Sequence, residues 1–148
     1  NHAMMAKNSE WLDRDNFEYI IRDFIKLRIS GCENVTIHTN KYSDEIADIR
    51  IGNKLIIGVH GHKDGIKDCA KKLTTFLDEK PSQILLGHYH HYEEIDQNNI
   101  TVKVNGSLVS VDSYAFGLRL NSKPYQILVI YDKDGEEECT YKIKLNNK

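Results

Sequence analysis

Proline is nearly missing, with 2 residues in the whole chain, and glycine is sparse at 9, which excludes collagen-like and low-complexity architectures. Cysteine is scarce as well: Cys32, Cys69 and Cys139 are odd in number, far apart and without a Cys-x-x-Cys pair. A disulfide framework or a thiolate zinc cage is therefore excluded, and a reducing, cytoplasmic setting is expected. No stretch approaches the roughly 18 apolar residues of a membrane span, and no basic segment leads into an apolar run at the start, so no membrane partner is expected. Nor is there an excess of positive charge. The 20 Lys and Arg face 22 Asp and Glu for a formal net charge of −2, so any contact with nucleic acid must be local rather than drawn in by a bulk field.

What is present is a chain of 148 residues, 40% hydrophobic and 28% charged, enough for one core and too short for two ordinary ones. A single domain over 1–148 is expected. Phe17, Ile20, Ile21, Phe24 and Leu27 recur at helical spacing, which predicts a helix over 15–29 that stops at Ser30-Gly31. Short β-prone runs follow at 35–39, Ile46–Ile51 and Lys54–Val59, the last two joined by a Gly52-Asn53 turn. Lys54–Val59 is apolar on both faces, as a buried central strand is. Ile66, Cys69, Ala70, Leu73, Phe76 and Leu77 then predict a helix over 65–79, with Asp64 as a cap and Pro81 as a stop. With the apolar run Gln83–Leu86 this makes a strand-helix-strand unit, whose crossover implies parallel strands. Four further strand candidates, 92–95, Thr101–Val104, Tyr125–Tyr131 and 140–145, give a β-rich C-terminal half.

The histidines carry the functional signal. Five of the seven, at 60, 62, 88, 90 and 91, are crowded into one part of the chain. His60 directly follows one strand of the crossover unit and His88 follows the other after Gly87, so both stand at C-terminal strand ends, where ligands bind in open parallel sheets. Alternate residues of an extended segment share a face, which lets His88 and His90 point together. Imidazoles without nearby thiolates suit manganese, iron or zinc. His60, His88 and His90 are thus candidate metal ligands; His62 and His91 are candidates for a supporting or solvent-facing role, and His38 reads as structural. Lys63, Lys67, Lys71 and Lys72 read mainly as the solvated face of the second helix.

Asn1-His2, Val59-His60-Gly61-His62 and Gly87-His88-Tyr89-His90 resemble, in order, the last three motifs of the calcineurin-like metallophosphoesterase superfamily. Asn1-His2-Ala3-Met4-Met5-Ala6-Lys7-Asn8, Asn105-Gly106-Ser107-Leu108, Asp112-Ser113-Tyr114-Ala115 and Arg119, Pro124 and Gln126 are similar to a phage- and prophage-associated branch whose members are often described as DNA-processing nucleases. The Asn-Gly-Ser segment reads equally as an ordinary turn.

The resemblance implies an α/β fold, a partial α-β-β-α sandwich, and a two-metal phosphoesterase acting on phosphodiesters, DNA included. It implies that Asn1, His60 and His88 hold one divalent ion and His90 the other, with His2 beside the phosphoryl group as catalytic residue. Two ions about 3.5–4 Å apart would activate a hydroxide and clamp the phosphate.

Two departures stand out. Ala3 replaces the acidic residue that orients the catalytic histidine. The upstream Asp-x-His and Gly-Asp-x-x-Asp motifs, with the bridging carboxylate, do not occur, so the chain resembles the C-terminal half of such a domain. Partial or no metal occupancy, weak or absent hydrolysis, and an uncovered apolar sheet face are then expected. That face would be covered by self-association into a homo-oligomer or by the missing N-terminal half. The competing expectation is a non-catalytic metal-binding or protein-interaction domain that retains the phosphoesterase fold; a small domain with a structural zinc ranks third.

Overall fold

A computed structural model describes residues 17–109, 117 and 123–145. The chain forms two compact units, residues 1–39 and 40–148. In the first, α1 (Phe17–Ile29) carries the apolar repeat read from sequence and ends where the Ser30 hydroxyl donates to the Leu27 carbonyl at 2.9 Å. Residues 35–39 are not the strand their composition predicts. Among the described residues nothing pairs with them as a ladder, and the Val35 N–H turns back to the Cys32 carbonyl at 3.3 Å.

The second unit holds β1 (Ile46–Ile51), β2 (Lys54–Val59), α2 (Cys69–Leu77), β3 (Gln83–Leu86), β4 (Glu93–Asp96), β5 (Thr101–Val104), β6 (Tyr125–Tyr131) and β7 (Glu137–Lys144). Five strands form one sheet in the order β1-β2-β3-β5-β4, and β6 with β7 forms a second. The β2-α2-β3 crossover gives the expected parallel pair, with Ile57 beside Ile84 and Val59 beside Leu86. A second parallel pair, β3 with β5, sets Ile84 beside Val102 and Leu86 beside Val104. Antiparallel β1 and β4 close the edges. The mixed α/β class and the partial sandwich expected from sequence are both present.

Helix α2 starts at Cys69 rather than 65. Residues up to Asp68 form a turn, and Asp68 is the N-cap without a side-chain bond. The predicted cap Asp64 pairs with Lys72 at 3.4 Å instead. The helix ends where Asp78 takes φ +51.

The two faces of the five-stranded sheet differ in chemistry. Alternation sends Leu55, Ile57, Ile84, Leu86, Val102 and Val104 to one face, where Cys69, Ala70, Leu73 and Leu77 of α2 complete an apolar core. Each fully buried side chain of this kind stabilises by about 1.5–3 kcal/mol. The opposite face carries Gln83 and Lys103, and these meet β6 and β7. Lys103, 1% exposed, donates to Glu137 at 2.6 Å and to the Thr140 hydroxyl at 2.8 Å, with Glu94 at 3.3 Å. Gln83 donates to the second Glu137 oxygen at 2.7 Å and accepts from the Tyr131 hydroxyl.

Two further fastenings hold the second sheet. A Cβ at Gly135, in the β6–β7 turn, would collide with the Ile51 carbonyl at the end of β1, so only glycine permits that approach. At the other end the Asn105 carbonyl oxygen of the side chain accepts from Gly106 and Ile127 N–H at 2.9 and 3.0 Å, and its amide donates to Gln126 at 2.9 Å.

Candidate functional site

Because β2 and β3 run parallel with Val59 beside Leu86, the residues leaving their C-terminal ends emerge side by side. The His60 and His88 ring centroids stand 5.1 Å apart, those of His60 and His62 5.3 Å, and those of His62 and His88 6.4 Å. Three imidazoles therefore gather where sequence placed the site. Glycine makes the approach possible: Gly61 takes φ +96, and a Cβ there would lie 3.1 Å from the Gly87 carbonyl and 3.4 Å from the Tyr89 ring.

His88 and His90 both hold left-handed backbone, at φ +69 and +57. The segment is consequently not extended, and the alternation that would make these two rings share a face does not apply to it. His90 is exposed, and among the described residues no ring contact joins it to His60, His62 or His88. His91 turns to its own strand, with Nδ1 3.0 Å from the Tyr89 carbonyl and Nε2 3.2 Å from Glu93. Asn1, His2 and Ala3 lie outside the described residues, as do Asp112 to Ala115 and Arg119.

His62, read from sequence as supporting or solvent-facing, stands within the cluster. Its Nδ1 is buried and lacks a hydrogen-bond partner. Burial first, and then the charge of Lys63, hold its imidazole below the ordinary histidine value, against an opposing pull from Glu45 and with a smaller lowering by His88. A neutral ring with an unused buried nitrogen is the state from which imidazole donates a lone pair. The fit to a metal centre was tested on these rings. Two imidazoles on one tetrahedral ion place their centroids roughly 5 Å apart, given bonds of about 2.0–2.1 Å, and two of the three separations match that. Yet among the described residues no set of three His, Cys, Asp or Glu groups is arranged to hold an ion. The described residues thus bring rings together without completing a two-ion centre, and no hydrolytic step is derived through one.

The surroundings add little catalytic chemistry. The buried Cys69 thiol is pushed up to about 11, by burial and then by Asp64, so it is no nucleophile at neutral pH. Lys63 pairs with Glu45 at 2.6 Å and Lys72 with Asp64 at 3.4 Å.

A second surface was not read as a site in sequence. On β6 and β7, Val129 faces Thr140 and points toward the first sheet with it, so Leu128 and Ile130, with Tyr141 and Ile143, share the outer face. Their exposures are 48%, 37%, 55% and 45%. Four large apolar side chains thus form a contiguous patch with Leu128 directly opposite Tyr141.

No family model matches the chain, and no curated protein matches it in sequence. Its fold does have solved counterparts. A single mutant of Vps29 from Entamoeba histolytica is 21% identical, covering 76% of this chain and 67% of that one at a TM-score of 0.51. The wild-type Entamoeba Vps29 complexed with Zn2+ is 21% identical over 76% and 68%, at 0.50. A Thermotoga maritima protein solved in solution by NMR is 17% identical over 83% and 73%, at 0.52. At these identities the likeness is one of fold, and the chain carries the Vps29-like, metallophosphoesterase-type α/β fold.

Proposed function

We propose that this chain uses a metallophosphoesterase-type fold as a non-catalytic protein-interaction domain, with the outer face of β6 and β7 as the contact surface. The observation that carries this reading is the patch of Leu128, Ile130, Tyr141 and Ile143, half exposed on a two-stranded sheet. Two strands alone are marginally stable in water, and an apolar outer face calls for a cover. The cover we propose is a second copy of this chain in the cytosol; a separate N-terminal half would compete for the same face. No described helix is long and apolar enough to cross a membrane.

Sedimentation of the full chain beside Leu128→Glu/Tyr141→Lys tests this. The wild type is expected to self-associate and to bind an apolar dye, and the variant to sediment as a folded monomer with less dye bound. A monomeric wild type whose dye binding equals that of the variant would overturn the reading.

A second reading is favoured by the gathered rings and the unpartnered His62 nitrogen: a phosphodiesterase in which His60, His62 and His88, with His90 and Asn1, serve divalent ions and His2 acts beside the phosphoryl group. Zinc is the metal this reading takes from the Vps29 neighbour; manganese or iron, a DNA substrate and a place in the phage-associated branch are its finer forms. Bound ions would supply an activated hydroxide and charge neutralisation. Turnover of bis-p-nitrophenyl phosphate or DNA with manganese or zinc, lost in His88→Ala, would establish it. Equal turnover in wild type and variant would remove it.

A further inference from the structure

Between β2 and β3 the two histidine-bearing segments are held by one side chain. The Tyr89 hydroxyl donates to the Asp64 carbonyl at 2.7 Å and lies 3.4 Å from the Gly61 carbonyl, so it reaches across from the 87–91 segment to both ends of the 61–64 turn. Its ring stands edge-on to His88 at 5.4 Å and to His91 at 6.1 Å, and packs against the apolar core below. Its own N–H returns to the Gly87 carbonyl at 2.8 Å, which pins the start of the segment. Gly61 and Gly87 permit the contact: a Cβ at Gly87 would lie 3.3 Å from the His60 carbonyl. A tyrosine suits the position because the ring belongs in the core and the hydroxyl must reach two backbone carbonyls.

We infer that Tyr89 is a positioning residue: it clasps the 61–64 turn to the 87–91 segment, so that His60, His62 and His88 are set at their spacing by the fold itself. The residue touches no reacting group; it acts through the imidazoles. The inference deepens the histidine-cluster reading above by naming what preorganises it. Phenylalanine would keep the ring contacts and lose the hydroxyl, whereas leucine would lose both.

The test uses the full chain, stripped of metal with a chelator and labelled at histidine, comparing wild type, Tyr89→Phe and Tyr89→Leu by NMR. In Tyr89→Phe the ring signals of His60 and His62 should shift toward those of free histidine, and amide exchange in the 61–64 turn should rise about three- to tenfold, the effect of one lost hydrogen bond. Exchange in β5 should stay as in the wild type. Tyr89→Leu should add a shift at His88. Ring signals and turn exchange unchanged in Tyr89→Phe would overturn the inference, even if the melting temperature fell. Zinc titration separates this from the reading it deepens. Zinc should move the three rings together in the wild type and bind several-fold more weakly to Tyr89→Phe. Wild-type rings that zinc leaves unmoved would remove the ion reading, while the metal-free spectra alone decide the clasp.

Discussion

The centre of the five-stranded sheet and its C-terminal edge are built on opposite terms. At the centre, apolar side chains pack under α2 on one face, and Lys103 is matched by Glu137 and Thr140, with Gln83 on the same carboxylate, on the other. At the edge, two histidines hold left-handed backbone and one imidazole nitrogen is buried without a partner. Satisfied groups stabilise a fold, whereas strain and unmet bonding capacity persist only where the surroundings enforce them. The contrast sets a closely matched centre against a strained edge with bonding capacity left over.

The largest effect should come from the polar side of the centre. Glu137→Leu leaves Lys103 buried with Glu94 as its remaining carboxylate, and should cost about 3–5 kcal/mol in urea unfolding. Lys103→Met combined with Glu137→Leu should recover most of that, since an apolar pair of similar volume often replaces a buried ion pair without loss. If the double variant is no better than the single, the pair is not what joins the sheets. On the apolar side, Ile84→Ala should cost about 2–4 kcal/mol through lost burial and the cavity left behind. No second substitution in the core should restore it, so the two faces respond differently to double replacement.

Acid should distinguish the faces next. Burial raises the Glu137 carboxyl, but hydrogen bonds from Lys103, Thr140 and Gln83 outweigh burial and leave it below the ordinary carboxylate value. A carboxyl depressed by folding stabilises fully above its unfolded value of about 4.3, and that contribution is lost as pH falls through the lower folded value. Urea midpoints of the wild type should therefore decline below about pH 4 more steeply than those of the Lys103→Met/Glu137→Leu protein. Parallel declines would mean that other carboxylates govern acid unfolding. The neighbouring Tyr131 hydroxyl, pushed up to about 12 by burial and then by Glu137, stays protonated throughout this range.

The legible parts of the sequence were those where one period or one spacing decides the structure. Leu55-Ile56-Ile57, the repeat from Ile66 to Leu77 and the run Gln83–Leu86 gave the crossover, and two histidines just past its strands gave the candidate site. Lys103 was not legible: a lysine reads as solvated, and its partner carboxylate is 34 residues away on β7. The parallel pairing of β3 with β5 was hidden for the same reason, since a four-residue strand names no partner. The grouping of His62 rather than His90 with His60 and His88 was hidden by local backbone. Extended geometry is the default for Gly87-His88-Tyr89-His90, and positive φ at residues 88 and 90 replaces it.

That positive φ supplies the smallest effect, and one of opposite sign. Asp78, Asn98 and Asn99 also hold φ above +50°, but they cap α2 or form the turn between β4 and β5, and short carbonyl side chains tolerate that conformation. His90 sits in no such turn, and His88 is the middle residue of the three-residue turn that the Tyr89 N–H closes on the Gly87 carbonyl; positive φ costs a residue with a Cβ roughly 1–2 kcal/mol. His90→Gly removes this cost, loses roughly 0.5–1 kcal/mol to glycine's chain entropy, and forfeits no ring contact among the described residues. It should therefore stabilise the protein by about 0.5–1 kcal/mol in urea unfolding. His88→Gly relieves the same strain but gives up the contacts with His60 and Tyr89, so it should come out near neutral. A loss of stability in His90→Gly would show that the ring is held by contacts worth more than its strain, and the edge would then belong with the centre.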